Sequence, residues 1–347
     1  MQIKKSAEFF GELKLAFQFS SRNALRIFKL KFNARIVTSK ILQLTSSISE
    51  KIGKVNATFL TVPPTNLRKQ NRIKTIHASL QIEGNTLSEE QITALLENKR
   101  VIGPEKDIQE VLNAVEVYDR LATYKAHSEK SFLSAHKQLL NKLIEGSGMY
   151  RKKDVGVIHG SQVTHLAPPP SSVPQAMKEL FAYLKNDDDL ILIKSCVFHY
   201  EMEFIHPFMD GNGRMGRLWQ TVILLNKYPV FAYLPFEILV SKTQKEYYKA
   251  LSISDKTGQS TIFIEYILNV IDESLKELLE SENIPNTPVT RLENFLSIRK
   301  FEFSRKDYLA HFKTISSATA SRDLKMGVEN GKLTKTGDKN NTLYHST

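Results

Sequence analysis

An unusual mixture of polar groups occupies twelve consecutive residues of this chain, from His206 to Arg217. They hold one imidazole, one carboxylate, three glycines and two guanidinium groups. The two glycines that flank Asn212 allow a tight turn whose backbone N–H groups point into one concavity, and the run from Met215 to Leu225 has helical apolar spacing. An anion bound by the turn would therefore lie at the N-terminus of a helix. The stretch predicts a phosphate site.

The charged side chains of the stretch must provide most of the affinity of such a site. A helix dipole contributes only ~0.3–1 kcal/mol, whereas even millimolar nucleotide binding needs ~4 kcal/mol. Arg214 and Arg217 are three residues apart, so they share one helical face and can both contact phosphate. Asp210 offers the oxygen ligand that Mg²⁺ prefers. His206, with an unperturbed pKa near ~6.5, can act as a neutral base.

The stretch resembles the signature of the Fic family, His-x-Phe-x-(Asp/Glu)-Gly-Asn-Gly-Arg-x-x-Arg, at every specified position. The resemblance implies transfer of AMP from ATP to a hydroxyl side chain of a target protein. It makes His206 the catalytic base and Asp210 the ligand of Mg²⁺ or Mn²⁺. The residues that it assigns to nucleotide binding are Phe208, Gly211, Asn212, Gly213, Arg214 and Arg217.

Two other patterns overlap the same residues. Gly-x-Gly-x-x-Gly is present at 211–216, but a dinucleotide fingerprint must follow a strand, and Leu190 to Phe204 has helical spacing. His199, Glu203 and His206 fall on one helical face and could form a metal triad. No second histidine pair lies nearby in the sequence, which favours a core role for His199.

Length and composition predict an ordinary soluble protein of 347 residues with room for two domains. The single cysteine excludes an intramolecular disulfide and fits a reducing compartment, which predicts a cytoplasmic protein. No apolar run is long enough for a membrane span. Net charge is +11, of which residues 1–40 carry +7 (nine basic, two acidic) and residues 289–347 carry +5 (eleven basic, six acidic). Basic ends suggest contacts with nucleic acid or another acidic surface.

A helix predicted from Asn66 to about Ile82 precedes the signature. It leads into Ser-x-x-x-Glu-Gly-Asn, which resembles the inhibitory motif of autoinhibited Fic proteins. The resemblance implies that Glu83 pairs with Arg217 and so withholds the guanidinium from the ATP γ-phosphate. The inhibitory residues are Ser79, Glu83, Gly84 and Asn85.

Other helices are predicted from the apolar spacing on both sides of a hairpin. They include Pro104 to about Tyr124, Ser131 to Ile144 and Phe236 to Leu251. Residues 155–166 alternate around a Gly-Ser pair, which predicts the hairpin. By resemblance this hairpin is a flap that holds the target segment by strand addition. Its named residues are Ile158, His159, Gly160 and Ser161.

The two ends of the chain are expected to be separate parts. Residues 1–40 are expected to be a basic extension. Residues 286–347 contain three predicted helices and an alternating segment, which resembles the winged helix often appended to Fic domains. The DNA-binding candidates on its recognition helix are Thr319, Arg322 and Lys325.

The sequence therefore predicts an all-α, Fic-type helical bundle over residues 41–285 with a β-hairpin flap. Its inhibitory helix spans 66–85, and a C-terminal winged helix-turn-helix domain follows. The predicted activity is that of a protein adenylyltransferase with ATP as co-substrate. Removal of AMP, or transfer of another nucleotide or phosphoryl group, remains an alternative within the family. A DNA-binding regulator that senses nucleotide is an alternative from another class, and a homo-oligomer remains open.

Overall fold

A computed structural model of the chain describes residues 35–58, 65–159, 162–282, 287–298, 302–312, 315–337 and 342–346. The chain divides into two compact units, residues 1–277 and residues 278–347. Most of the predicted N-terminal extension and the turn residues Gly160 and Ser161 lie outside the described residues. Within the described residues, no helix is both long and apolar enough to cross a membrane.

The first unit is built from helices, as the predicted all-α class requires, and that prediction is confirmed. Many of these helices are amphipathic, and their apolar faces are buried. Its described α-helices, of which the last continues into the second unit, are α1 (Ser39–Thr58), α2 (Thr65–Ile82), α3 (Glu89–Leu96), α4 (Glu105–Asp119), α5 (Glu129–Leu139), α6 (Val173–Asn186), α7 (Ile191–Ile205), α8 (Asn212–Leu225), α9 (Glu237–Lys242), α10 (Gln244–Thr257) and α11 (Thr261–Glu282).

An aromatic cluster around Phe132 of α5 lies directly behind the signature. The Phe132 ring stacks on Phe208 at 5.4 Å between centroids and meets Trp219 of α8 edge-on at 5.1 Å. All three rings are fully buried. Aromatic pairs in these geometries add roughly 0.5–1.5 kcal/mol each beyond the area that they bury. The cluster therefore fixes the signature against α5.

The predicted hairpin is present as two antiparallel strands, β1 (Gly156–His159) and β2 (Gln162–Leu166). Its register shifts between Val157 and Ile158, which marks a bulge or irregularity. We call this hairpin the flap.

The second unit has its own core and its own small sheet. Its elements are α12 (Pro288–Ile298), β3 (Phe303–Ser304), α13 (Arg305–His311), α14 (Ser317–Glu329), β4 (Leu333–Thr336) and β5 (Leu343–Ser346). The sheet is antiparallel in the order β3-β5-β4. Phe295, Tyr308 and Leu324 are buried at its centre. A buried ion pair joins Arg291 to Asp323, with Nε to Oδ2 at 2.7 Å.

Candidate active site

His206 ends α7 in the left-handed conformation, with φ 50° and ψ 60°. Its Nδ1 lies 3.3 Å from the Glu203 carbonyl oxygen. A carbonyl can only accept a hydrogen bond, so Nδ1 carries the proton and Nε2 is the basic nitrogen of the neutral ring. The ring is therefore held in the tautomer that a general base needs.

The glycine turn between α7 and α8 depends on two local contacts. Gly211 has φ 82°, and a Cβ there would lie 2.6 Å from Leu140 Cδ2, so only glycine fits without a shift of that side chain. The Asn212 side chain accepts from Phe208 N and donates to Phe208 O, both at 2.9 Å. Asn212 therefore closes the turn with its own amide, and the Phe208 ring lies in the core behind it.

Arg217 is fully buried and contacts the end of α2. Its Nε donates to Ser79 Oγ at 3.2 Å, and its Nη2 donates to Ser79 O at 3.0 Å and to Glu83 Oε1 at 2.8 Å. Burial works to lower the pKa of Arg217, but the charge of Glu83 works in the opposite direction, and the net pKa is raised. The guanidinium is thus charged and paired with the carboxylate.

The Glu83 carboxylate lies at the N-terminus of α8. A Cβ on Gly213, the second residue of that helix, would overlap Glu83 Oε1. The same Cβ position is 3.2 Å from Arg217 Nη1, a buried nitrogen without a hydrogen-bond partner among the described residues. Helix N-termini attract anions, and the sequence predicted a phosphate at this one. The Glu83 carboxylate lies in that predicted position.

Arg214 is held by a second acidic residue, Glu110 of α4. Arg214 Nη1 donates to Glu110 Oε1 at 2.9 Å, and Nη2 donates to Asp210 Oδ1 at 3.2 Å. The other oxygen of Glu110 accepts from Asn85 Nδ2 at 2.9 Å. Glu110 therefore connects the residues after α2 to the signature helix.

His136 of α5 supports the turn from behind. Its ring stacks on Phe208 at 3.6 Å between centroids, nearly parallel. Gly148 N donates to its Nδ1 at 2.8 Å, so Nε2 carries the proton and donates to Asp210 O at 3.0 Å. Burial lowers the pKa of His136 to about 4. The ring is therefore neutral, and its tautomer is fixed by two backbone contacts.

A divalent cation would fit beside Asp210. This side chain is 46% exposed, and the hydrogen bonds that it accepts from Gly211 N and Arg214 Nη2 both use Oδ1. Among the described residues no cluster of three His, Cys, Asp or Glu side chains could hold a metal without help. One carboxylate is sufficient when substrate phosphates supply further oxygens, as is usual for Mg²⁺.

His199, the first member of the metal triad considered from the sequence, is a hydrogen-bonded core residue. Its Nδ1 lies 2.7 Å from Gln220 Oε1 and its Nε2 lies 3.0 Å from Tyr247 Oη. Burial lowers the pKa of this fully buried imidazole to about 3. Its two ring nitrogens are thus engaged by protein groups.

The structure joins Glu83 and Ser79 to Arg217, and Asn85 to Arg214 through Glu110. Gly84, with φ 91°, turns the chain between Glu83 and Asn85. The predicted flap residues Ile158 and His159 end strand β1. The three DNA-binding candidates lie on α14 of the second unit.

Three residues of the site were missed from the sequence: Glu110, His136 and Arg151, whose Nε donates to His206 O at 2.8 Å. Glu110 shares a helical face with Ala114 and Val117, which are both buried. A carboxylate on an apolar face signals a buried partner, and this pattern could have identified it. His136 and Arg151 carried no comparable signal.

Comparison with known proteins places this site in a family. The model of the Fic/DOC family matches residues 126–224. A crystal structure of a Fic family protein from Desulfovibrio desulfuricans G20 is 37% identical, with a TM-score of 0.68, covering 90% of this chain and 97% of that one. A probable protein adenylyltransferase of Aquifex aeolicus is 30% identical over 222 residues, 58% of this chain and 67% of its own length. The chain belongs to the Fic family.

The curated relatives include longer proteins. The protein adenylyltransferase fic-1 of Caenorhabditis elegans is 30% identical over 238 residues, 62% of this chain but 44% of that protein. The chain spans between 40% and 60% of the first three relatives that it matches.

Proposed function

We propose that this chain is a protein adenylyltransferase that moves AMP from ATP to a Ser, Thr or Tyr hydroxyl of a target protein. The names of its relatives support this reaction. The observation that carries the proposal is the Glu83 carboxylate at the N-terminus of α8, bound to Arg217. A carboxylate in that place supports the binding of an oxyanion there, which is the property that a phosphate group requires.

In the proposed reaction, the target hydroxyl oxygen attacks the α-phosphorus of ATP. A bond forms between these two atoms, the bond from the α-phosphorus to the bridging oxygen breaks, and pyrophosphate leaves. His206 Nε2 takes the hydroxyl proton, since Nδ1 is already protonated. The backbone of the glycine turn, Arg214 and Arg217 would hold the phosphates. In-line transfer depends on positioning and charge stabilisation, which these groups provide.

Asp210 would hold a Mg²⁺ or Mn²⁺ ion together with the phosphates. Such an ion, when bound, would supply positive charge that neutralises the leaving pyrophosphate. The Asp210 carboxylate is kept in place by Gly211 N at 2.6 Å, so its orientation is set before any ion binds.

The flap would hold the target segment. An extended peptide could add to an edge of this two-stranded hairpin through backbone hydrogen bonds, which places a hydroxyl without demanding much sequence. The partner is thus a protein with an extended segment that carries a hydroxyl side chain.

Glu83 would inhibit the reaction by its pairing with Arg217. While the pair persists, the γ-phosphate lacks its guanidinium. The same carboxylate could activate a water molecule for the reverse reaction, so removal of AMP by this site is the alternative. The two are separable, because loss of Glu83 raises transfer but abolishes removal.

The base assignment is tested by His206→Ala in a Glu83→Gly background. We expect transfer of labelled AMP to proteins of a cell lysate to disappear, while the circular dichroism spectrum stays unchanged. His127→Ala, at an exposed histidine, is the matched control and should keep full activity. Transfer retained by a folded His206→Ala protein would refute the assignment.

DNA binding by the second unit is a second candidate function. Its three helices and its small antiparallel sheet in the order β3-β5-β4 support a winged helix. Arg322 and Lys325 are exposed on α14, where a recognition helix would lie. We expect binding of random duplex DNA to weaken steeply with salt and with Arg322→Glu. If the full chain shows no salt-dependent DNA binding, DNA binding is refuted and the unit is a module for protein contacts.

A further inference from the structure

His206 has an unusual backbone conformation. It is one of three described residues other than glycine with positive φ, together with Asn98 and Lys142. A side chain in the left-handed region is unfavourable and persists only when surrounding contacts determine it. Since the direction of the imidazole depends on this conformation, the contacts that enforce it also orient the proposed base.

Arg151 supplies those contacts. It lies between α5 and the flap, is 3% exposed, and donates to three successive carbonyl groups. Its backbone N donates to Pro207 O at 2.9 Å, its Nε to His206 O at 2.8 Å, and its Nη2 to Ile205 O at 3.4 Å. These are the carbonyls immediately before, at and after the left-handed residue.

The remaining contacts of the same guanidinium reach both ends of the flap. Nη1 donates to Lys153 O at 3.0 Å, ahead of β1, and Nη2 also donates to Pro168 O, beyond β2. Among the described residues, every hydrogen-bond partner of the Arg151 guanidinium is a backbone carbonyl oxygen. These contacts therefore do not depend on the identity of the neighbouring side chains. A planar guanidinium can bind several carbonyls in fixed directions, whereas a lysine ammonium cannot reproduce that fork.

We infer that Arg151 is a positioning residue that holds the His206 turn and the two ends of the flap in one fixed arrangement. It does not touch a reacting atom. The effect of Arg151 on catalysis rests on the proposed function. If the flap holds the target hydroxyl, Arg151 keeps that hydroxyl and the base His206 at a fixed relative position. A change in the position of either is transmitted to the other through one buried side chain.

The inference is tested first without any substrate, by hydrogen exchange and mass spectrometry on the full chain. We expect Arg151→Met to speed amide exchange about tenfold both in peptides of the flap and in peptides around His206. Arg120→Met, which removes an exposed arginine, is the control and should change neither. Faster exchange in only one of the two segments would show that Arg151 does not couple them.

Kinetics provide a second measurement, in the Glu83→Gly background. Because the reacting groups are displaced while the phosphate contacts remain, we expect Arg151→Lys to lower kcat about 100-fold and to leave KM for ATP unchanged. Equal losses in kcat and ATP affinity would point to general destabilisation and overturn the inference. Arg151→Lys also serves if Arg151→Met fails to fold. Absence of transfer in the parent protein would refute the proposed function, and the exchange measurement would still decide the role of Arg151.

Discussion

The most informative perturbation is Glu83→Gly, because it removes one contact and keeps the rest of the Arg217 environment. Arg217 would retain both of its hydrogen bonds to Ser79 and lose only the 2.8 Å bond to the carboxylate. Glu83 is 28% exposed, so the full cost of breaking a buried ion pair does not apply. A hydrogen bond to a charged group contributes ~1.5–3 kcal/mol, which corresponds to about 10- to 150-fold in the population of the competent site.

We therefore expect Glu83→Gly to raise AMP transfer by about 10- to 150-fold. The assay is incorporation of labelled AMP into lysate proteins at fixed ATP and Mg²⁺. Glu83→Gln keeps the shape of the side chain but loses its charge, and should show an intermediate rate. Glu89→Gly is the control, because among the described residues the Glu89 carboxylate contacts His77 of α2 at 3.6 Å and neither arginine of the signature. Equal rates for Glu83→Gly and the unchanged protein would refute the reasoning.

Three further predictions concern the support of the site. Glu110→Gln removes the charge that holds Arg214, and we expect a several-fold rise in KM for ATP and a loss of about 1–3 kcal/mol in the free energy of unfolding, measured by urea titration. Gly211→Ala should unfold at a lower temperature and lose transfer, whereas Gly258→Ala, with φ 66° but open space at its Cβ position, should cost only about 1 kcal/mol. Burial lowers the pKa of His136 to about 4, so its unfolded form takes up a proton first as the pH falls. The stability from this group is full above the unfolded pKa of ~6.5 and declines by up to about 3 kcal/mol towards pH 4, and His136→Gln should flatten that slope in urea titrations. An unchanged slope would contradict the buried, neutral assignment.

Helix positions were predicted better than helix ends. The helix predicted from Asn66 to about Ile82 is Thr65–Ile82 in the structure, because its end is marked by a glycine that can take positive φ. The helix predicted from Ser131 to Ile144 instead ends at Leu139. Apolar residues continue beyond that end, and periodicity cannot show that the chain has turned.

A single helix predicted from Phe236 to Leu251 is two helices, α9 and α10, which break at Thr243. Thr243 Oγ1 donates to Leu239 O at 2.6 Å and lies 2.8 Å from Tyr266 Oη. The second partner belongs to α11, so the contacts at this break include one that local sequence does not reveal. The short strand β3 was missed for a similar reason, since its pairing partner β5 is about forty residues away in the sequence.

The sequence by itself determined the family and predicted which residues would carry the chemistry of the site. A histidine, a carboxylate, a glycine turn and two arginines within twelve residues have few other uses, because their spacing fixes which of them share a face. The pairing of Glu83 with Arg217 was also predicted, since each residue belongs to a recognisable motif.

Only the tertiary structure decided what holds those groups in place. Glu110, His136 and Arg151 are distant from the signature in sequence, and each acts through directional hydrogen bonds to backbone groups or to a buried charge. Such bonds require a donor and an acceptor to lie within about 3 Å of each other, and residue type alone does not show which atoms come that close. The conformation of the proposed base is therefore set by parts of the chain that its own motif does not contain.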